Sequence, residues 1–260
     1  MSSLLPTPRS VASLAVATAV HVGVSGAFVV AFAFAVQYRL QLAAGYPYIV
    51  TATFAAAGAA VAVLAGRHLS GRRFGAANQV TLLRTALAAL LLGLIGQSAE
   101  IAGASWLAAV LALPALLLDG LDGWLARRLR TATAFGARFD METDAALILV
   151  LALLVWRFDK GGAWVLAGGL ARYVFVAAAS ALPWLQRRLP DSRRRQTVCV
   201  IAVSAFALCL VPPLTRPAST WIALAGVAAL LGSFAVDVLW LARRAATTRA
   251  GASPARPRRS

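Results

Sequence analysis

The sequence predicts an all-α fold, a polytopic helical bundle that sits in a membrane. Three observations carry that reading. Of the 260 residues, 60% are hydrophobic, and the mean hydropathy is +0.77, well above that of a soluble domain. The apolar residues gather into eight runs, most of them near the roughly 20 residues that cross a hydrocarbon core of about 30 Å. The basic residues fall mostly in every second connection between those runs.

The first run, about 11–36, follows Arg9. It is longer than the roughly 7–15 apolar residues of a cleaved signal segment and reads as a retained helix. The second, about 47–66, pairs with it as a hairpin. The segment 67–78 (RHLSGRRFGAAN) is basic and contains glycine, which suits a stretch lying along lipid headgroups. Runs three and four cover about 79–97 and 101–118. The fifth, about 144–156, is short, and its helix is expected to begin near Asp140. Runs six to eight cover about 163–185, 197–214 and 220–242. The tail is small, polar and basic, and reads as disordered. The expected organisation is thus a hairpin at 1–66, a juxtamembrane segment at 67–78, a six-helix core at 79–243 and a basic tail at 244–260.

Charge sets the orientation. One side of the bundle receives Arg9, then Arg67, Arg72, Arg73 and Arg84, then Arg127, Arg128, Arg130 and Arg138, then Arg187 to Arg195, then the tail. The other side receives Arg39, Arg157, Lys160 and Arg216. The asymmetry places both termini in the cytoplasm. Trp106, Trp156, Trp164 and Trp221 fall near one expected interface, and Trp184 and Trp240 near the other. A net charge of +16 raises nucleic acid as a partner, but a membrane topology accounts for this distribution and no nucleic-acid partner is expected. Cys199 and Cys209 lie in an apolar run and read as packing residues.

The acids are distributed quite differently. Of nine in the chain, five lie between 119 and 144: Asp119, Asp122, Asp140, Glu142 and Asp144. Carboxylates beside hydrocarbon are costly, and clustered ones repel, so a positive charge must sit among them. A divalent metal supplies it economically. Asp119 and Asp122 are three apart and share a helix face, at what hydropathy marks as a helix end with a negative dipole. Asp140 and Asp144 are four apart, at the expected start of the next helix. Glu142 points away from both by helical spacing and reads as solvated. Hard oxygens suit Mg²⁺ or Mn²⁺ bridged to substrate phosphates. Gly123, Ala126 and Gly136 leave room for a nucleotide, and Arg127 offers a fixed cation for phosphate. Together these residue types point to phosphoryl transfer.

The string Asp119-x-x-Asp122-Gly123-x-x-Ala126-Arg127, eight residues, Gly136-x-x-x-Asp140-x-x-x-Asp144 resembles the signature of the CDP-alcohol phosphotransferases of class I, with every defining position and gap met. Upstream, Asn78-x-x-Thr81-x-x-Arg84 is similar to the family's motif at the start of its first core helix. The resemblance covers about 76–243. It implies a six-helix core, which the extra hairpin precedes. It also implies that Asp119, Asp122 and Asp140 hold a divalent metal, with Asp144 sharing in a second site and acting as general base. Gly123, Ala126, Arg127 and Gly136, with Asn78 and Thr81 nearby, would shape the CDP pocket. A homodimer in the bacterial inner membrane, with the active site facing the cytoplasm, is the setting the resemblance and the charge pattern imply.

The implied reaction transfers a phosphatidyl or phosphoalcohol group from a CDP-linked donor to a hydroxyl acceptor and releases CMP. CDP-diacylglycerol is the expected donor, given the compact size and composition. A soluble CDP-alcohol such as CDP-choline is the alternative, and a cation transporter using the aspartates is a second class of reading. For the acceptor, Arg172 lies inside a run, where an isolated Arg needs an anion. It is similar to an Arg-acid pair in members that make phosphatidylglycerol phosphate or cardiolipin, with Tyr173 in place of the acid. Arg193, Arg194 and Arg195 resemble a basic stretch of the first of these groups. Arg172 with Arg193 to Arg195 is one reading, a pocket for a phosphorylated polyol; a positive-inside loop, with Arg172 paired to Asp237, is the other.

Overall fold

In the computed structural model the chain is helical almost throughout. The structure describes residues 8–68, 74–97, 102–129, 133–187, 189–190 and 192–251. The side chains of 8–15, Ala17, 66–68, Ala102, Asp122, Ala126, Arg127 and 248–251 lie outside the described set. Among the described residues there are eight α-helices and no strand.

Helices α1 (Pro8–Leu40) and α2 (Tyr46–His68) pack against each other as a hairpin. Gln41 ends α1 with φ 52°, and Leu42 N–H donates back to the Gln37 carbonyl at 3.1 Å. That is a helix-ending motif more often built on glycine. The hairpin lies against α3 (Ala76–Gly93). His21 of α1 and Gln79 of α3 stand 3.1 Å apart, nitrogen to nitrogen, and Ala43 N–H donates to Gln97 Oε1 at 2.9 Å at the far end.

α3 is the most enclosed of the long apolar helices, with 61% of its span buried inside the protein. It packs on α4 (Ala102–Arg128) and α5 (Ala134–Arg157). α5 in turn packs on α6 (Leu166–Ala181) and α7 (Arg193–Cys209), and α7 on α8 (Ala218–Gly251). The core therefore runs along α3 and α5, where Leu82, Leu91, Leu147, Leu151 and Leu154 are buried. Around it the outward faces stay apolar: Phe28, Phe32, Val110, Leu117, Val174 and Leu239 are all exposed. Lipid solvates such faces, and helices satisfy their own backbone there.

Among the described residues, six helices are long and apolar enough to cross a membrane: α1, α2, α3, α4, α6 and α8. Of the other two, α7 has 17 residues, and α5 carries Arg138, Asp140, Glu142 and Asp144 in its first half. The protein is a polytopic helical membrane bundle, as expected.

Several boundaries differ from the hydropathy reading. α4 continues ten residues beyond 118, to Arg128, because Leu121, Trp124 and Leu125 sustain a helix after hydropathy falls. α5 starts at Ala134, capped by the Thr133 hydroxyl, which accepts from Gly136 N–H at 2.9 Å. α6 stops at Ala181, two residues before Pro183. Helix α8 reaches Gly251, so the expected disordered tail is helical over 244–251; the rest of it, and residues 69–73 of the juxtamembrane segment, lie outside the described residues.

Past the far end of α5, Lys160 Nζ donates to three carbonyls after α7, Val211 at 3.4 Å, Pro212 at 3.1 Å and Leu214 at 2.7 Å. The Lys160 carbonyl accepts from Ser219 Oγ at 2.7 Å. This tie fixes the face opposite the aspartates.

Candidate active site

Asp119 and the Asp140–Asp144 pair come from different helices, and the packing of α4 and α5 on α3 brings them together. One carboxylate oxygen from each of Asp119, Asp140 and Asp144 lies within 4.8 Å of the others. All three side chains are partly buried, at 22%, 38% and 23% exposure, so a ligand can still reach them. The side chains of Asp122, Ala126 and Arg127 lie outside the described residues; their backbone lies inside α4.

Among the described residues, the positive charge between the carboxylates is Arg84, which the sequence places both with the arginines of one side of the bundle and in the Asn78-x-x-Thr81-x-x-Arg84 motif. Its side chain is 1% exposed. Nη1 donates to Asp140 Oδ1 at 2.7 Å, Nη2 lies 2.8 Å from Asp119 Oδ1, and Nη2 also bonds Asp144 Oδ1. Nε donates to the Ala115 carbonyl at 3.2 Å, one turn before Asp119. Arg84 thus joins α3, α4 and α5. A sequence signal was available: Asn78, Thr81 and Arg84 recur at three-residue intervals on one face of a buried helix.

Asn78 and Thr81 are buried, at 6% and 2% exposure, on that same face. A Cβ on Gly136 would stand 2.8 Å from Asn78 Oδ1 and 3.1 Å from Thr133 Oγ1. The glycine therefore lets the Asn78 amide lie against the first turn of α5. Thr143, between Asp140 and Asp144 in sequence, meets Thr85 hydroxyl to hydroxyl at 3.3 Å and steadies α5 on α3. α7 packs against both α4 and α5, the helices that carry the aspartates.

Two pairings differ from expectation. Glu142 is not merely solvated: Arg172 Nε donates to its Oε2 at 3.3 Å, and Arg172 Nη2 bonds Oε1. Helical spacing turns Glu142 away from the aspartates, and that direction leads to α6. Asp237 does not pair with Arg172. It accepts from Arg194 at 2.5 Å and from Arg195 at 3.4 Å, while Arg194 also donates to Ser233 Oγ at 2.7 Å and its carbonyl at 2.8 Å. Arg193 is exposed on the first turn of α7.

A family model described as CDP-alcohol phosphatidyltransferase matches residues 74–234. The chain belongs to the CDP-alcohol phosphatidyltransferase family. No curated protein and no solved structure matches the chain. The match takes in α3 to α7 and the first half of α8, and the α1–α2 hairpin precedes it. CDP-alcohol phosphatidyltransferases are phosphotransferases that act on a CDP-alcohol and a hydroxyl acceptor, typically with a divalent metal. The residues present fit such a metal. Three carboxylates from two helices offer hard oxygen donors at close range, the donor class that Mg²⁺ and Mn²⁺ select.

Proposed function

We propose that this CDP-alcohol phosphatidyltransferase moves the phosphatidyl group of CDP-diacylglycerol to a small hydroxylated acceptor, releasing CMP on the cytoplasmic face of a bacterial inner membrane. One observation carries the reading: carboxylates from both halves of the signature converge, through α4 and α5, on one partly open centre. The positive-inside rule assigns the arginine-rich connections of the sequence, which flank the signature, to the cytoplasm, and this supports a cytoplasmic site.

Asp119, Asp122 and Asp140 would hold the divalent cation, Mg²⁺ or Mn²⁺, with Asp144 sharing in a second site. Such ions neutralise pyrophosphate charge and stabilise the charge that builds in the transition state. Asn78, Thr81, Gly123, Ala126, Arg127 and Gly136 shape the cytidine diphosphate pocket, Gly136 by leaving the Asn78 amide room to lie at the mouth of α5. Asp144 orients the acceptor hydroxyl and takes its proton. The hydroxyl oxygen bonds to the phosphorus that carries the diacylglycerol, the phosphoanhydride bond breaks, and the electron pair leaves on CMP. A carboxylate is a weak base, so alignment of the hydroxyl by a side chain fixed between α3 and α5 contributes more than proton abstraction.

Residues 79–243 form the catalytic unit, with the hairpin at 1–66 as an accessory. The acceptor's polar group lies toward Arg172 and Arg193 to Arg195. Ion pairs with Glu142 and Asp237 hold Arg172, Arg194 and Arg195 in position, and Arg193 is exposed beside them.

The test is product analysis. Purified protein with Mg²⁺ or Mn²⁺ is given CDP-diacylglycerol and a panel of polyols, polyol phosphates and amino alcohols, and the lipids are read by mass spectrometry. A new phospholipid with equimolar CMP is expected. Turnover only with a soluble CDP-alcohol and diacylglycerol would reverse donor and acceptor. Aspartate-dependent ion flux without CMP would replace the reading with transport.

A further inference from the structure

We propose that Arg84 is a resident counter-cation of the carboxylate centre: a divalent ion enters only by taking carboxylate oxygens from its guanidinium, so Arg84 sets how tightly metal is held. The inference rests on the metal reading given above. The guanidinium is 1% exposed, and a buried charge is stable only with partners of opposite sign. Its partners are the residues that would ligate metal. Asp119, Asp140 and Asp144 each present Oδ1 to it, at 2.8 Å and 2.7 Å for the first two. The Nε bond to Ala115 O, at 3.2 Å, fixes the arginine from α4. A dication drawing on the same carboxylates meets a competitor already seated on them.

Charge balance gives the direction. The carboxylates of Asp119, Asp140 and Asp144 sum to −3, Asp122 adds a further negative charge to the proposed ligand set, and Arg84 offsets one of these charges. Without Arg84 the centre is more negative by one charge. Attraction for a dication then rises, and so does the mutual repulsion that the ion relieves. Both effects tighten metal binding. An arginine that only joined the three helices would, on removal, leave metal affinity unchanged or weaken it as the carboxylates lost their register.

The experiment measures Mn²⁺ binding to the purified full-length chain in detergent, by titration calorimetry and by loss of the free Mn²⁺ spin-resonance signal. Wild type, Arg84→Gln and Arg84→Lys are compared. Arg84→Gln is expected to bind Mn²⁺ at least about tenfold more tightly than wild type, and Arg84→Lys, which keeps the charge, to stay within about threefold. Thermal unfolding of Arg84→Gln should also rise more steeply with Mn²⁺ than that of wild type. Equal or weaker binding by Arg84→Gln would overturn the proposal, as would an Arg84→Lys protein that shifts as far as Arg84→Gln. A glutamine variant still unfolded at saturating Mn²⁺ would overturn it too, because metal could not then replace the guanidinium. Wild type that fails to bind Mn²⁺ at all would remove the metal reading and this inference together.

Discussion

At the scale of single residues, the side chains that differ most from the sequence reading are charged ones, because a sequence lists charges without their partners. Arg84 lies 35 residues before Asp119 and 60 before Asp144, and the positive-inside pattern already accounted for it. Its three-residue spacing from Asn78 and Thr81 marked the helix face it shares with them, and the packing of three helices shows it bound to Asp119, Asp140 and Asp144. Arg172 likewise needed an anion, and the acid it takes is Glu142 rather than Asp237. The spacing that turned Glu142 from the aspartates was legible, whereas the helix waiting on that side was not. Gly136 was legible as a residue that makes room, and the structure names Asn78 as the neighbour that needs it. Gly136→Ala should push the Asn78 amide aside, because its Cβ would stand 2.8 Å from Asn78 Oδ1. The KM for the CDP-linked donor is expected to rise about tenfold with a smaller change in kcat, as steady-state kinetics would read. An unchanged KM would separate Gly136 from donor binding.

Helices were legible as apolar runs, and their ends were not. Lipid solvates an apolar side chain, so hydropathy reports how far the hydrocarbon extends, while the backbone goes on forming hydrogen bonds into the polar region. This is why α4 continues to Arg128, α5 begins at Ala134 and α8 reaches Gly251. The consequence is functional. Asp119 and Asp140 lie inside helices rather than at their ends, so helix packing, not the helix dipole, sets their positions. That packing depends on close crossings. A Cβ on Gly169 of α6 would stand 2.8 Å from Leu149 Cα of α5, a backbone atom that cannot swing away. Gly169→Ala should therefore force α5 and α6 apart and cost about 1–3 kcal/mol, seen as a lower Tm in detergent. Gly232→Ala, with nothing within 4 Å of the new Cβ, is the matched control and should hold the Tm or raise it slightly. Equal Tm values for the two variants would mean that α5 and α6 do not cross as closely as described.

Over the whole molecule, the two ends of the bundle do different things. Lys160, Ser219 and the carbonyls after α7 lock one face, whereas the other gathers carboxylates and arginines around a partly open centre. The fold class, the eight helices and the signature were all legible, because a membrane bundle displays its spans as hydropathy and its chemistry as the rare acids. The α1–α2 hairpin was legible as an addition, and the family match begins just after it, at residue 74. The most direct test of the central claim, that the converged carboxylates drive metal-dependent cleavage of a CDP ester, is CMP release from CDP-diacylglycerol in the presence of acceptor, by wild type and Asp144→Asn. Wild type should release CMP with Mg²⁺ or Mn²⁺ and stop on chelation, and Asp144→Asn should be slower by at least about 100-fold. CMP release that survives chelation, or that Asp144→Asn matches, would contradict the claim.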